Sequence, residues 1–406
     1  MSVLILNHRP LDRRPVGRWL QEAGELVMVT TRAALAASPP AERAPFATIV
    51  PVDDYASGSV LRAAWRLARA RDPDRVASSC ELDLIRAAVV RHVRGLEGQQ
   101  LDSALAYRDK LHMREAAFAG GLRVPGFRAV RTPADVRDFA EGSGFPVVVK
   151  PRLGTGTAGI KVVWSARDLK DQGVPAWPPR QDLGRLIVEE YLDAPMYHVD
   201  GISVGGGVVH CWPSRSSGGA LQDIARCGPR AGVMLGADDP LRPVLQDFAV
   251  RVIAAFPSGN AGFGFNLEAW VPEGGEPVLC EVTSRAGTEV IAEAYQHGFG
   301  VNLFEESFRA QAGLPLRLTG QPGTPRRYAH WVCFLTEDGT FTPPPDAGRP
   351  PVAYFQADLE PGTHGRRART ITDVAARAVV EGASAGEAED RLRELTSWWD
   401  ASRPWR

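Results

Sequence analysis

The chain of 406 residues carries 47 Lys+Arg against 48 Asp+Glu, a formal net charge of −1, and is 44% hydrophobic. At about 150 residues per domain this predicts two to three domains, each large enough to bury a core. The balanced charge gives no electrostatic footprint for nucleic acid or an anionic membrane. No run approaches the roughly 18 apolar residues of a membrane helix, and Val3–Leu6 is too short for a signal peptide. Five scattered cysteines (Cys80, Cys211, Cys227, Cys280 and Cys333) form no C-x-x-C pair, so they read as reduced thiols of a cytoplasmic protein. Only four lysines occur (Lys110, Lys150, Lys161 and Lys170), which makes the position of each worth noting.

In chain order, Val3–Leu6, Leu26–Val29 and Ala47–Val50 are short apolar runs that read as strands. Helical patterns cover Arg18–Ala23, Val60–Arg71 and Leu82–Val93. This alternation predicts a parallel α/β layer in the first hundred residues. A helix is expected over Ser103–Gly121, ended by Gly120-Gly121. Strands follow at Phe145–Lys150 and Ile160–Trp164, a surface loop at Gly173–Arg180, then strands at Leu186–Glu190 and Val199–Val209. A helix over Leu241–Phe256, a hairpin over Gly262–Val282 and helices over Thr288–Gln296 and Leu303–Ala312 come next. Gln321–Pro325 reads as a boundary, Pro343–Pro351 as an irregular segment, and Ser384 with Glu387 as a capping box opening a last helix.

Gly154-Thr155-Gly156-Thr157-Ala158-Gly159 fits G-x-G-x-x-G. The segment after Gly159 is a β-branched strand and not a helix, which argues against a dinucleotide-binding loop, and the Walker A lysine is absent. Two strands joined by such a loop present a flap of backbone N–H groups that can close over phosphates, or an ordinary hairpin with a flexible turn. Lys150 ends the strand before the flap, where its ammonium would meet phosphate oxygens.

A two-residue turn at Gly274-Gly275 would set Glu268 directly opposite Glu281, as the closer kind of antiparallel pair with Cα atoms about 4.5 Å apart. Opposed like charges are destabilising without compensation, and a hard divalent cation supplies it through oxygen ligands. The competing reading is two solvated glutamates in another register.

Taken together, over roughly residues 1–315, these motifs resemble the ATP-grasp superfamily, in particular its carboxylate–amine ligases. Arg108-Asp109-Lys110 is similar to the first ATP lysine of that family, and Phe145–Pro151 with Lys150 to the second. Gly154–Gly159 is similar to its flap, and Leu186–Leu192 to its adenine hinge, where Glu189, Glu190, Tyr191 and Leu192 would meet the base. Glu268 and Glu281 fall where the family binds magnesium, and Arg285 where it stabilises an acyl-phosphate. Two departures stand out. Met196 occupies the place of a ribose-binding glutamate, with His198 or Asp200 as substitutes, and Thr283 stands where relatives often have an Asn metal ligand.

The resemblance implies an N-terminal parallel α/β domain (1–105), a lid of two strands and a flap (106–184), a mixed-sheet catalytic region (185–320) and a small C-terminal extension (321–406). It also implies ATP and one or two Mg²⁺ ions, with small-molecule carboxylate and amine substrates, and it admits a homodimer. The reaction would form an amide through an acyl-phosphate, on an amino acid or small peptide, releasing ADP and phosphate. A carboxylase, a ligase of nucleotide biosynthesis and a non-catalytic nucleotide sensor are the alternatives. Arg215 is a candidate for gripping the carboxylate, and His297 for a base near the amine. His8, Arg9, Arg13 and Arg14, just after the first strand, either face the substrate cleft or form a solvated loop. The Ala-, Arg- and Gly-rich usage suits a GC-rich bacterial genome and a dedicated natural-product ligase.

Overall fold

The computed structural model describes residues 1–171, 184–217, 228–321 and 323–406. The expected loop Gly173–Arg180, Cys227, and Pro322 of the expected boundary lie outside the described residues.

The first sheet holds β1 (Val3–Leu6), β2 (Leu26–Thr31), β3 (Phe46–Val52) and β4 (Arg75–Ser78), all parallel, in the order β3-β2-β1-β4. Val3–Leu6 is buried throughout, as a parallel strand covered on both faces should be. The helix Ser59–Arg71 covers one face through Val60, Ala64, Leu67 and Ala68, a single stripe at helical spacing. On the other face, Trp19, Phe304 and Phe308 share one core with Trp212 and Phe299, so the helix Leu303–Ala312 lies between this sheet and the central one. The expected helix Arg18–Ala23 is a single turn, Val16–Trp19, placed immediately after Pro15.

A four-stranded antiparallel lid sheet follows, of β5 (Phe127–Val130), β6 (Val147–Pro151), β7 (Lys161–Val163) and β8 (Leu186–Glu190), in the order β5-β8-β6-β7. The flap joins β6 to β7.

The expected helix Ser103–Gly121 is two helices, Leu101–Ala106 and Lys110–Ala119. Asp109 explains the break: its Oδ1 accepts from the Leu111 N–H at 2.9 Å as an N-cap, while Arg152 grips the same carboxylate at 2.7 Å. Lys110 therefore opens the second helix.

The central sheet has eight strands, with every pairing antiparallel, where a mixed sheet was expected. It contains β9 (Met196–Val204), β10 (Gly207–Ser216), β11 (Arg230–Met234), β12 (Gly262–Trp270), β13 (Val278–Thr283) and β14 (Tyr328–Leu335). After the small pair β15 (Gly339–Thr340) and β17 (His364–Gly365), it is completed by β16 (Tyr354–Ala357) and β18 (Val374–Gly382). The strand expected over Val199–Val209 is a hairpin turning at Gly205-Gly206, whose φ angles of +59° and +77° suit a tight primed turn. Segment 321–406 contributes strands to the sheet that also carries β12 and β13. It ends in the helix Ala385–Ser402, where Ser384 accepts from the Glu387 N–H at 3.1 Å and Glu387 reaches back to the Ala383 N–H at 2.7 Å. Among the described residues no helix is long and apolar enough to cross a membrane.

Candidate active site between the lid and the central sheet

β12 and β13 carry the centre of the site. The expected two-residue turn is a longer connection, 271–277, with the Gly275 N–H donating to Pro272 O at 3.0 Å. A register shift beyond Glu268 compensates, and Glu268 pairs directly with Glu281 as predicted. Two residues along, Asn266 pairs with Thr283. Since alternate strand residues share a face, the four side chains form one patch. All four line a cavity whose other walls are the flap, Lys110, Lys150, Glu81, Arg285 and the hinge Glu189–Leu192.

Lys110 and Lys150 are each buried and carboxylate-bound. Lys110 Nζ lies 2.7 Å from Glu281 Oε1 and donates to Gly154 O at 3.0 Å, so it ties the carboxylate patch to the flap. Lys150 Nζ lies 2.7 Å from Glu189 Oε2, and Arg114 Nε lies 3.0 Å from Glu189 Oε1. Arg114 is one turn beyond Lys110 on the same helix, so both side chains face the site.

Burial pushes the Glu281 carboxyl up, but the Lys110 ammonium, with Lys150 and Arg114, overrides it and holds it at about 2. Across the pair, burial raises Glu268, with Arg230 opposing the rise and Glu281 adding to it. For Glu189, burial is again outweighed by Arg114 and Lys150, and the group sits below the usual carboxylate range.

The flap needs its glycines at two points. Gly156 and Gly159 have φ of +60° and +75°. A Cβ at Gly156 would lie 2.9 Å from Thr372 Cγ2, while the Ile371 N–H donates to Gly156 O at 3.4 Å and Ile371 lines the cavity. The C-terminal segment thus rests on the flap.

Arg285 donates to Glu81 Oε2 at 2.9 Å and 3.3 Å through Nη2 and Nε, and to Ala286 O at 2.8 Å. Burial would lower the guanidinium's pKa, but Glu81 raises it beyond its ordinary value, so the charge is fixed.

Among the residues predicted from the sequence, the cavity gathers Lys110, Lys150, Gly154 to Ala158, Glu189, Glu190, Tyr191, Leu192, Glu268, Glu281 and Arg285. Gly159 closes the flap beside Pro151. Four others lie elsewhere. Arg215 stands on β10 and pairs with Glu389 of the last helix at 3.0 Å, outside the cavity lining. His198 is fully buried opposite Glu268 on β9, its Nδ1 3.6 Å from Glu268 Oε1, and Asp200 is buried opposite Asn266, whose Nδ2 donates to it at 2.9 Å. Both substitutes for the ribose-binding glutamate therefore flank the carboxylate patch on the same face of the sheet, while Met196 itself lines the cavity. His297 bonds Glu381 at 2.6 Å, also away from the cavity.

Sequence reasoning missed Glu81, Asn266 and Arg114. Asn266 was signalled by strand periodicity, two residues before Glu268, and Arg114 by its helical spacing from Lys110. Glu81 had only its place beyond the end of a parallel strand.

The donor set suits a hard divalent cation. Two opposed carboxylates and the Asn266 amide share one face with the Thr283 hydroxyl, which is buried without a hydrogen-bond partner.

Residues 109–199 match the family described as carbamoyl-phosphate synthase L chain, ATP binding domain. The L-arginine-specific L-amino acid ligase of Bacillus subtilis is 23% identical over 275 residues, 67% of this chain and 66% of that protein. A formate-dependent phosphoribosylglycinamide formyltransferase of Erythrobacter litoralis is 24% identical over 312 residues, 68% of this chain and 73% of that one. The matched region spans 66% and 51% of the first two curated relatives. Among solved structures, the L-amino acid ligase from Bacillus licheniformis superposes with a TM-score of 0.75 at 18% identity, covering 98% of this chain and 97% of that one. N5-carboxyaminoimidazole synthase from Aspergillus clavatus, in complex with ADP and 5-aminoimidazole ribonucleotide, gives 0.71 at 16% identity, covering 98% of both chains. A parallel N-terminal sheet, a glycine-flap lid and an antiparallel sheet bearing paired carboxylates define the ATP-grasp fold. The chain has this fold, its residues 109–199 match the ATP-binding family model, and it is similar to ATP-grasp ligases.

Proposed function

We propose that the chain is an ATP-dependent carboxylate–amine ligase that forms an amide through an acyl-phosphate, releasing ADP and phosphate. One observation carries this reading. Glu268 and Glu281 oppose each other on one face, with Lys110, Lys150 and Arg285 around them, in a cavity walled by a glycine flap. Bringing a carboxylate up to a triphosphate crowds negative charge, and these cations are placed to offset it as it redistributes.

The hinge Glu189–Leu192 would hold adenine through its backbone, since the Glu189 carboxylate is engaged by Arg114 and Lys150. Lys110, Lys150 and the flap N–H groups would take the phosphates. Glu268, Glu281, Asn266 and Thr283 would hold magnesium, which when bound neutralises phosphate charge. Arg285, oriented by Glu81, would face the acyl group. The flap, backed by Ile371 and Thr372, would exclude the water that hydrolyses an acyl-phosphate. The acid and amine are proposed to be amino acids or small peptides.

The test is ADP and phosphate release from Mg-ATP with pooled amino acids and small acids, with mass spectrometry of products and Glu281→Ala as control. ADP release with a new mass equal to two substrates less water supports the reading. AMP and pyrophosphate would overturn it. Tight Mg-ATP binding without turnover on any pool would favour a nucleotide sensor.

A further inference from the structure

The order β3-β2-β1-β4 means the chain leaves β1 toward β2 and later crosses back to β4. The crevice beyond the carboxyl ends of β1 and β4 is thus a topological switch point, the place where open α/β sheets receive ligands. His8, Arg9 and Arg14 follow β1, and Ser79, Cys80 and Glu81 follow β4. Arg285 reaches the same crevice through Glu81.

Two carboxylates here are each held by more guanidinium groups than they can neutralise. Glu81 takes Arg285 at 2.9 Å and Arg108 at 3.6 Å. Glu289 takes Arg14 at 2.9 Å and Arg9 at 3.1 Å. The adjoining charges balance without them. Asp83 is matched by Arg86 at 3.0 Å, and Arg377, which approaches Glu289 at 3.4 Å, is matched by Asp358 at 2.7 Å.

Arg14 and Arg108 are each only 5% exposed, and Arg14 Nε, Arg108 Nη1 and His8 Nδ1 are buried without a hydrogen-bond partner. Unmet buried guanidinium donors and surplus buried cations are both costly, and an anion would relieve both. Burial, with Arg9 and Arg14, also pushes His8 down to about 4, which reports the same positive field and leaves the imidazole neutral at pH 7.

We propose that this crevice is the acid-substrate subsite, and that the substrate bears a second anionic group, a carboxylate or phosphate, which docks at Arg9 and Arg14 while its reacting carboxylate faces Arg285. The assignment rests on the ligase reading above. A guanidinium fork matches either anion bidentately.

Calorimetric titration tests it directly, on the full chain alone and with Mg²⁺ and a non-hydrolysable ATP analogue. Succinate, L-glutamate and O-phospho-L-serine are compared with butyrate and L-alanine. The best ligand with two anionic groups is expected to bind at least about tenfold more tightly than its counterpart with one. Arg9→Gln should collapse that ratio toward one, and Arg9→Lys should restore part of it. Glutamate against phosphoserine separates carboxylate from phosphate. Equal binding of ligands with one and two anionic groups, or an unchanged ratio in Arg9→Gln, would overturn the proposal. Failure of the ATP analogue to bind would count against the ligase reading alone, because the acid titration of the free chain still decides the subsite.

Discussion

Lys110 Nζ lies 2.7 Å from Glu281 Oε1, although the two residues are 171 positions apart. The pair joins the helix after Asp109 to the edge of the carboxylate patch, and each member depends on the other. Removing one partner leaves a largely buried charge uncompensated, so Lys110→Met or Glu281→Ala should lower the unfolding free energy by about 3 kcal/mol. Lys110→Met with Glu281→Leu together should recover most of that loss while remaining silent in ADP release. Urea denaturation of the three variants checks it. The pH dependence follows from the depressed Glu281 carboxyl. Its stabilising contribution is full above the ordinary carboxylate range and is lost as pH falls toward about 2. In Lys110→Met that loss should begin at higher pH.

Asp200 carries the opposite sign. Burial pushes its carboxyl up to about 7, with the Asn266 amide only partly opposing it. The unfolded chain ionises this group near pH 4, so the fold pays a penalty that grows from about pH 4 to 7 and then levels off. Asp200→Asn is neutral at every pH and can still accept from Asn266. It should match the parent chain near pH 4 and exceed it at pH 8 by at least about 1.4 kcal/mol, the worth of one pKa unit. Thermal unfolding at the two pH values decides it.

Gly156→Ala should weaken the flap without unfolding the protein. The positive φ costs an L-residue about 1–2 kcal/mol, and the new Cβ meets Thr372 Cγ2 at 2.9 Å. An increase of about tenfold in the KM for ATP is expected, as for a lid residue. Adding Thr372→Ala should recover only the steric part. Gly142→Ala is the contrast, since Gly142 lies within the helix Pro133–Ser143 with open space around it. That change should stabilise by about 0.5–1 kcal/mol and leave turnover alone.

Arg215→Ala should leave ADP release unchanged. Its pair with Glu389 is well exposed on both sides, and such bridges are worth about 0–1 kcal/mol. Loss of turnover in this variant would place the residue back in the substrate cleft.

Several features of the site could be read from short-range pattern. The flap was legible because two β-branched runs flank a glycine-rich segment, and the opposition of Glu268 and Glu281 because strand pairing has a fixed period. The latter came out right for a reason the sequence did not display: a longer connection than Gly274-Gly275 is offset by a register shift beyond Glu268. The break at Asp109 was missed because the apolar pattern runs across it. Only the Asp109 cap and the Arg152 grip, from 43 residues away, end one helix and start the next.

What the sequence alone determined was local: the parallel strands, the flap, the lysine that precedes it and the paired carboxylates, all governed by backbone periodicity and residue conformation. Tertiary structure decided which charges meet. It carried Glu81 from the first sheet to Arg285, turned Arg215 toward Glu389 and set His198 and Asp200 beside the carboxylate patch. Each of these depends on which distant strands, helices and sheets are brought together, and contacts across such sequence distances leave no periodic mark along the chain.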